Sequence, residues 1–179
     1  MLPLTWQNYL GQWATRQNRP PRIAVLGIGN ALRSDDAAGV LVARRLAQSR
    51  LLRDLDSILV IEAGHAPENT TAELRRFRPE YVILIDAAEM SDVPGAIRWI
   101  AIDEIDGMSA STHTLPLSML AKYLTLELGC EVNILGIQPQ SMEIGESVSR
   151  GVLQAVDEIV NGLTVLLPEI VTFEQQAMN

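Results

Sequence analysis

Three residues of this chain have side chains and positions suited to chemistry: Asp36, Asp86 and His113. Asp36 closes the stretch from Gly27 to Asp36, in which two glycines and then an acidic pair follow an apolar run. Asp86 comes directly after the five apolar residues Tyr81 to Ile85, and His113 stands three residues before Pro116. Two carboxylates and one imidazole make a mixed oxygen and nitrogen donor set with room for an open position. That set suits a borderline divalent ion such as nickel, iron or zinc. Such an ion polarises a carbonyl and activates water, so hydrolysis would need no serine or cysteine nucleophile. Each residue also has a plainer role open to it. Ser34 or Asp35 can cap a helix while the other acid complements its dipole. Asp86 can satisfy backbone donors of the loop after it, and His113 can be structural.

The elements that must position these groups are legible from periodicity. Residues 22–28 form a short β-branched run of the kind that a strand buried on both faces requires. Beyond the acidic pair, Gly39, Val42, Ala43 and Leu46 recur at helical spacing. Residues 57–62 predict a second strand, and Asn69 or Thr70 can start a short helix that ends at Arg78-Pro79. Residues 81–85 predict a third strand, so Asp86 should emerge at the same sheet edge as Asp36, where open α/β sheets place their ligands. The link from Asp86 to the apolar residues 96–102 is too short for a helical crossover, which predicts an antiparallel edge strand. Pro116 suits a first helical turn, with Leu117, Leu120, Ala121 and Leu124 as its buried face. That puts His113 just before a helix N-terminus, where the dipole favours the neutral, metal-binding ring. Residues 131–137 predict a last strand and residues near 147–166 a last helix, ended by Pro168. The expected fold is a three-layer α/β/α sandwich around a mostly parallel, roughly five-stranded twisted sheet with one antiparallel edge strand.

Around this domain, placed at residues 22–167, lie two flanking segments. In residues 1–21, Trp6, Tyr9, Leu10 and Trp13 share one helical face. That amphipathic helix is expected to dock on its own domain, with a partner surface as the alternative. Residues 168–179 read as a loose tail.

At 179 residues the chain can build one domain with a real core. A net charge of −8, with no basic block interleaved with aromatics, argues against nucleic acid. The single cysteine, Cys130, excludes an internal disulfide and reads as an inert buried thiol in a reducing compartment. No apolar run approaches the roughly 18–20 residues of a membrane span, and the N-terminus lacks a secretory pattern. A soluble, cytoplasmic protein without membrane insertion is expected. Phosphate loops of the form G-x-x-x-x-G-K-S/T, G-x-S-x-G elbows, H-E-x-x-H and C-x-x-C are all absent from the sequence. The Gly27-Ile-Gly29 start carries Leu32 where a dinucleotide fingerprint has its third glycine. Glu62 could still hold a ribose, so nucleotide binding stays open. His65 follows the second strand, where a substrate-facing or structural role suits it better than metal ligation.

Taken in order, the segments G-I-G-N-A-L-R-S-D-D, I-E-A-G-H-A-P-E-N, L-I-D-A-A-E-M with V-P-G-A-I-R, S-T-H-T-L-P-L and L-G-I-Q-P resemble the nickel-iron hydrogenase maturation endopeptidases. The resemblance spans about residues 22–165. The A-P-E-N and T-H-x-x-P-L pieces are most similar to the branch that processes hydrogenase 3, the formate hydrogenlyase type. It implies removal of a C-terminal extension from a hydrogenase large-subunit precursor after nickel insertion. Asp36, Asp86 and His113 then fall on the nickel-binding positions and double as the catalytic groups. The nickel is expected to arrive with the precursor, and another divalent ion to substitute in vitro. Gly29, Asn30, Gly64, His65, Thr112 and Gln138 are expected to line the substrate groove, and a monomer is expected because the cleft must admit a larger protein. The sequence departs from the family at Ala37, where glycine is usual; an alanine there is harmless if it already lies in a helical turn. The alternative of another class is a nickel-sensing or nucleotide-binding accessory protein that binds the precursor without cutting it.

Overall fold

The computed structural model describes residues 5–102, 104–105 and 116–172. In chain order the elements are α1 (Trp6–Thr15), β1 (Ile23–Ile28), a 3-10 turn (Ser34–Ala37), α2 (Ala38–Gln48), α3 (Arg50–Arg53) and β2 (Ile58–Gly64). A second 3-10 turn (Pro67–Thr70) leads into α4 (Thr71–Phe77), β3 (Tyr81–Ala87), β4 (Ile97–Ile100), α5 (Leu117–Leu128), β5 (Glu131–Ile137) and α6 (Arg150–Thr172). The sheet runs β2-β1-β3-β5-β4, parallel throughout except for β4, which pairs antiparallel with β5 at the edge. The expected mixed, five-stranded sandwich is therefore the fold observed.

Its two cores follow from the period-two alternation of the inner strands. Ile23 and Val25 of β1 with Tyr81, Ile83 and Ile85 of β3 face one layer, built from α1, α2, α3 and α6. Ala24, Leu26 and Ile28 with Val82 and Leu84 face the other, built from α4 and α5. Both faces are covered, which is why these strands read as unbroken apolar runs.

The chain leaves β1 for β2 on one side and returns across β1 to β3 on the other. Loops therefore diverge at the carboxyl ends of β1 and β3, the place where open α/β sheets form their ligand crevice. The helix after β1 sits unusually close to this point. A Cβ on Gly39 would lie 2.0 Å from the Ile85 carbonyl oxygen and 2.4 Å from that of Ile28. A Cβ on Gly27 would lie 2.1 Å from the Gly39 oxygen. The two glycines let α2 rest directly on the backbones of β1 and β3.

Helix α1 packs on its own domain, as expected. Thr5 accepts from the Asn8 N–H at its start. Trp6, Leu10 and Trp13 are buried in the first core, with the Trp6 indole donating to Glu158 of α6 and the Trp13 indole to Glu131. Among the described residues no helix is long and apolar enough to cross a membrane.

Three local expectations are corrected. Neither Ser34 nor Asp35 caps α2: its N-cap is Ala37 without a side-chain bond, because a 3-10 turn delivers the chain into the helix. Pro168 does not end the last helix, which continues to Thr172. Losing one backbone bond there is outweighed by burial of Leu167, Ile170 and Val171, which extend the apolar stripe of Val152 to Leu163. Residues 168–172 are thus packed helix rather than tail. Ala37, by contrast, has φ −72° and ψ −9°, a helical conformation in which alanine is at ease. The position that demands glycine is Gly29, at φ +124°, where a Cβ would lie 1.8 Å from the Asp36 carbonyl oxygen.

Candidate active site

The site is built on the turn after β1. Gly29 donates its N–H to the Gly64 carbonyl at 3.0 Å, which ties this turn to the one after β2. Asn30 then folds the chain back: its side-chain oxygen accepts from the Leu32 N–H at 3.0 Å and its carbonyl from the Arg33 N–H at 3.0 Å. Ser34 follows with φ +39°, a conformation sparsely populated by non-glycine residues and concentrated at functional sites. The result is to bring the Asp36 backbone against Gly29, at the carboxyl end of β1.

Asp36 is 2% exposed and Asp86 1%. Asp36 stands in the 3-10 turn that follows the β1 loop, and Asp86 in the last residues of β3, the strand beside β1. Gly39, whose close approach to Ile85 was described above, fixes the distance between the turn and β3. Two enclosed carboxylates at one sheet edge are an uncommon arrangement, since Asp is seldom fully buried without a specific reason. As hard oxygen donors they fit a divalent cation, or one can serve as base toward a water.

His113 and Thr112 lie outside the described residues. Among the described residues no three His, Cys, Asp or Glu side chains gather where they could hold a metal ion. The remaining groove candidates are spread along the same edge. Gly64, at φ +64°, and the exposed His65 form the turn after β2. Gln138 is at the edge too, yet its side chain turns inward. Its Oε1 accepts from the N–H groups of Met90 (2.7 Å) and Asp92 (3.3 Å), and its Nε2 donates to Glu89 and the Pro139 carbonyl, each at 3.1 Å. Gln138 therefore holds the loop after β3 in place.

Asp35 is the functional residue that sequence reasoning assigned to the wrong task. It is wholly buried, and its carboxylate accepts three backbone N–H groups: Gln140 (2.7 Å) and Ser141 (3.1 Å) on Oδ2, and Ser149 (2.6 Å) on Oδ1. Its own N–H donates to the Ser141 carbonyl at 3.1 Å, and the Ser34 hydroxyl donates to that of Ser147 at 3.1 Å. The acidic pair thus divides its work. Asp35 fastens the long loop after β5, and Asp36, one residue on, is buried in the same turn beside the Gly29 backbone.

Comparison with known proteins points the same way. A family model described as hydrogenase maturation protease matches residues 40–165. A putative hydrogenase maturation protease of Methanocaldococcus jannaschii is 35% identical over 153 residues, covering 83% of this chain and 90% of that protein. The hydrogenase 3 maturation protease of Escherichia coli K12 is 34% identical over 140 residues, covering 78% and 86%. Among solved structures, a NiFe hydrogenase maturation protease from Thermococcus kodakarensis KOD1 superposes with a TM-score of 0.74 at 30% identity. That match covers 90% of this chain and 99% of the other.

Proposed function

The chain belongs to the hydrogenase maturation protease family and is a hydrolase of that kind; from this we propose that it removes a C-terminal extension from a nickel-iron hydrogenase large-subunit precursor after nickel insertion. The observation that carries the reading is the pair of buried carboxylates, Asp36 in the 3-10 turn after β1 and Asp86 near the end of the adjacent strand β3. A peptidase of this design has no need of a serine or cysteine nucleophile, and the one cysteine, Cys130, is buried with burial pushing its thiol up, away from the reactive thiolate.

In this reading nickel belongs to the substrate. It arrives in the precursor, and Asp36, Asp86 and His113 are the groups that touch it, so a loaded tail is held with its scissile bond in the crevice. Binding of the metal-bearing tail becomes the condition for cutting. The turn at Gly29 and Asn30, the turn at Gly64 and His65, Thr112 and the loop that Gln138 secures line the path of the peptide. The protein works as a monomer in the cytoplasm, since the crevice must receive a folded protein larger than itself.

The test is mass spectrometry of nickel-loaded and nickel-free precursor after incubation with the protein or its His113→Ala variant. Shortening of loaded precursor alone, by the intact protein alone, is expected. Equal shortening of both precursors would remove the metal condition and keep the peptidase. A loaded cognate precursor that stays full length would leave a binding protein that does not cut.

A further inference from the structure

The carboxyl edge holds two aliphatic side chains out in water. Leu32 is 74% exposed and Ile144 77%, and they come from different loops, after β1 and after β5. The loops are joined directly beneath them: the Gly145 N–H donates to the Leu32 carbonyl at 3.0 Å. The β5 loop is further fastened by the Asp35 carboxylate at Gln140, Ser141 and Ser149, by the Ser34 hydroxyl at Ser147, and internally by Ser141 Oγ donating to Glu146 at 2.7 Å. The bonds to the buried Asp35 carboxylate, which are the strong kind, hold the backbone that carries Ile144. Single exposed aliphatics are ordinary on a protein surface. Here the two stand on loops joined by a backbone bond, one of them four residues before Asp36.

We propose that Leu32 and Ile144 form a rigid apolar lip beside the crevice that seats an apolar segment of the protein substrate next to the bond to be cut. This rests on the reading that the chain cuts a precursor protein. The occupant follows from continuity with the proposed site: Leu32 stands in the Gly29–Asp36 turn, four residues before Asp36, so a substrate segment held at Asp36 lies alongside it. The lip gives the enzyme a means of choosing among precursors that its carboxylates, which see only the metal and the bond, do not have. Leu126 provides the comparison. It is 87% exposed, but it lies in the last turn of α5, just ahead of the start of β5 and so at the opposite edge of the sheet.

The experiment measures cleavage against the concentration of loaded precursor for the wild type, a Leu32→Ser/Ile144→Ser double variant, a Leu32→Val/Ile144→Val double variant and Leu126→Ser. The serine pair should raise KM about tenfold with kcat held within about twofold, the pattern of lost uniform binding. The valine pair should recover most of the loss, and Leu126→Ser should match the wild type. An unchanged KM in the serine pair would overturn the lip. So would a fall in kcat alone, or a wild-type dimer that the serine pair splits without changing KM, which would assign the two residues to a second copy of the chain. If the wild type leaves loaded precursor full length, it is the peptidase reading that fails. Co-sedimentation with intact precursor then decides the lip separately: weaker binding by the serine pair alone supports it, and equal binding refutes it.

Discussion

Asp35 and Ser149 are 114 positions apart in the chain, yet Oδ1 of the first accepts the backbone N–H of the second at 2.6 Å. With Gln140 and Ser141 on its other oxygen, one side chain satisfies three donors of a loop that has no regular structure of its own. Removing it strands those donors. Asp35→Ala is expected to cost roughly 3–5 kcal/mol of stability, read from the urea midpoint, and to depress cleavage although Asp36 is intact. Asp35→Asn, which keeps one acceptor oxygen, should fall between the two. A midpoint unchanged in Asp35→Ala would mean that the loop is held by other means.

Asp36 and Asp86 should behave in the opposite way. In the proposed reaction their carboxylates act on the substrate, so the isosteric amide should be felt first in cleavage. Asp36→Asn and Asp86→Asn are each expected to lower cleavage by at least about 100-fold in a protein that still folds, read from circular dichroism. Parallel losses of activity and stability would make both residues structural.

Gly39 tests the packing that sets the width of the crevice. A methyl group there would stand 2.0 Å from the Ile85 oxygen and 2.4 Å from the Ile28 oxygen, both backbone atoms that cannot step aside. Gly39→Ala should cost about 3 kcal/mol or more, although alanine is the better helix former. A variant that melts with the wild type would show that α2 can lift off the sheet freely.

Tyr81 gives the protein an alkaline limit. Its ring lies under Trp13, centroids 4.2 Å apart, and its hydroxyl accepts from Asn133 at 3.0 Å. Burial pushes the phenol far above its ordinary value, with Tyr9 and Glu131 adding to the shift and Asn133 and Arg16 opposing it. The folded state therefore favours the protonated form. That stability is complete below the ordinary phenol value of about 10 and is lost as pH rises beyond it. Tyr81→Phe, which cannot ionise, should stay folded to higher pH in circular dichroism. An identical alkaline midpoint would rule Tyr81 out as the cause.

How far the sequence could be read follows from the range of the interactions involved. The strands were legible because β1 and β3 are buried on both faces, and an apolar run ending in Asp86 has few other interpretations. The antiparallel edge strand followed from chain length alone, since the link after Asp86 cannot hold a crossover helix. Asp35 was misassigned because an acid before a helix has a local explanation, capping. Its real partners, Gln140 to Ser149, lie more than a hundred residues away, where no spacing rule reaches. Gln138 was assigned to the groove from its position, and the inward turn of its amide depends on Met90 and Asp92 across the fold. Pro168 misled for a similar reason, because a local rule about proline cannot see Ile170 and Val171 being buried against the distant first core.

The contact between the first and last helices also bears on how the protein is made. Trp6 lies over Gly162 so closely that a Cβ there would come within 2.6 Å of its ring, and its indole bonds Glu158. During synthesis α1 leaves the ribosome well before its cover. At roughly 5–20 residues per second, Trp6 waits on the order of ten seconds for α6 to be translated. For that interval Trp13 can already meet Tyr81 of β3, but Trp6 stays uncovered, and α6 completes the first core only when it emerges to cover it.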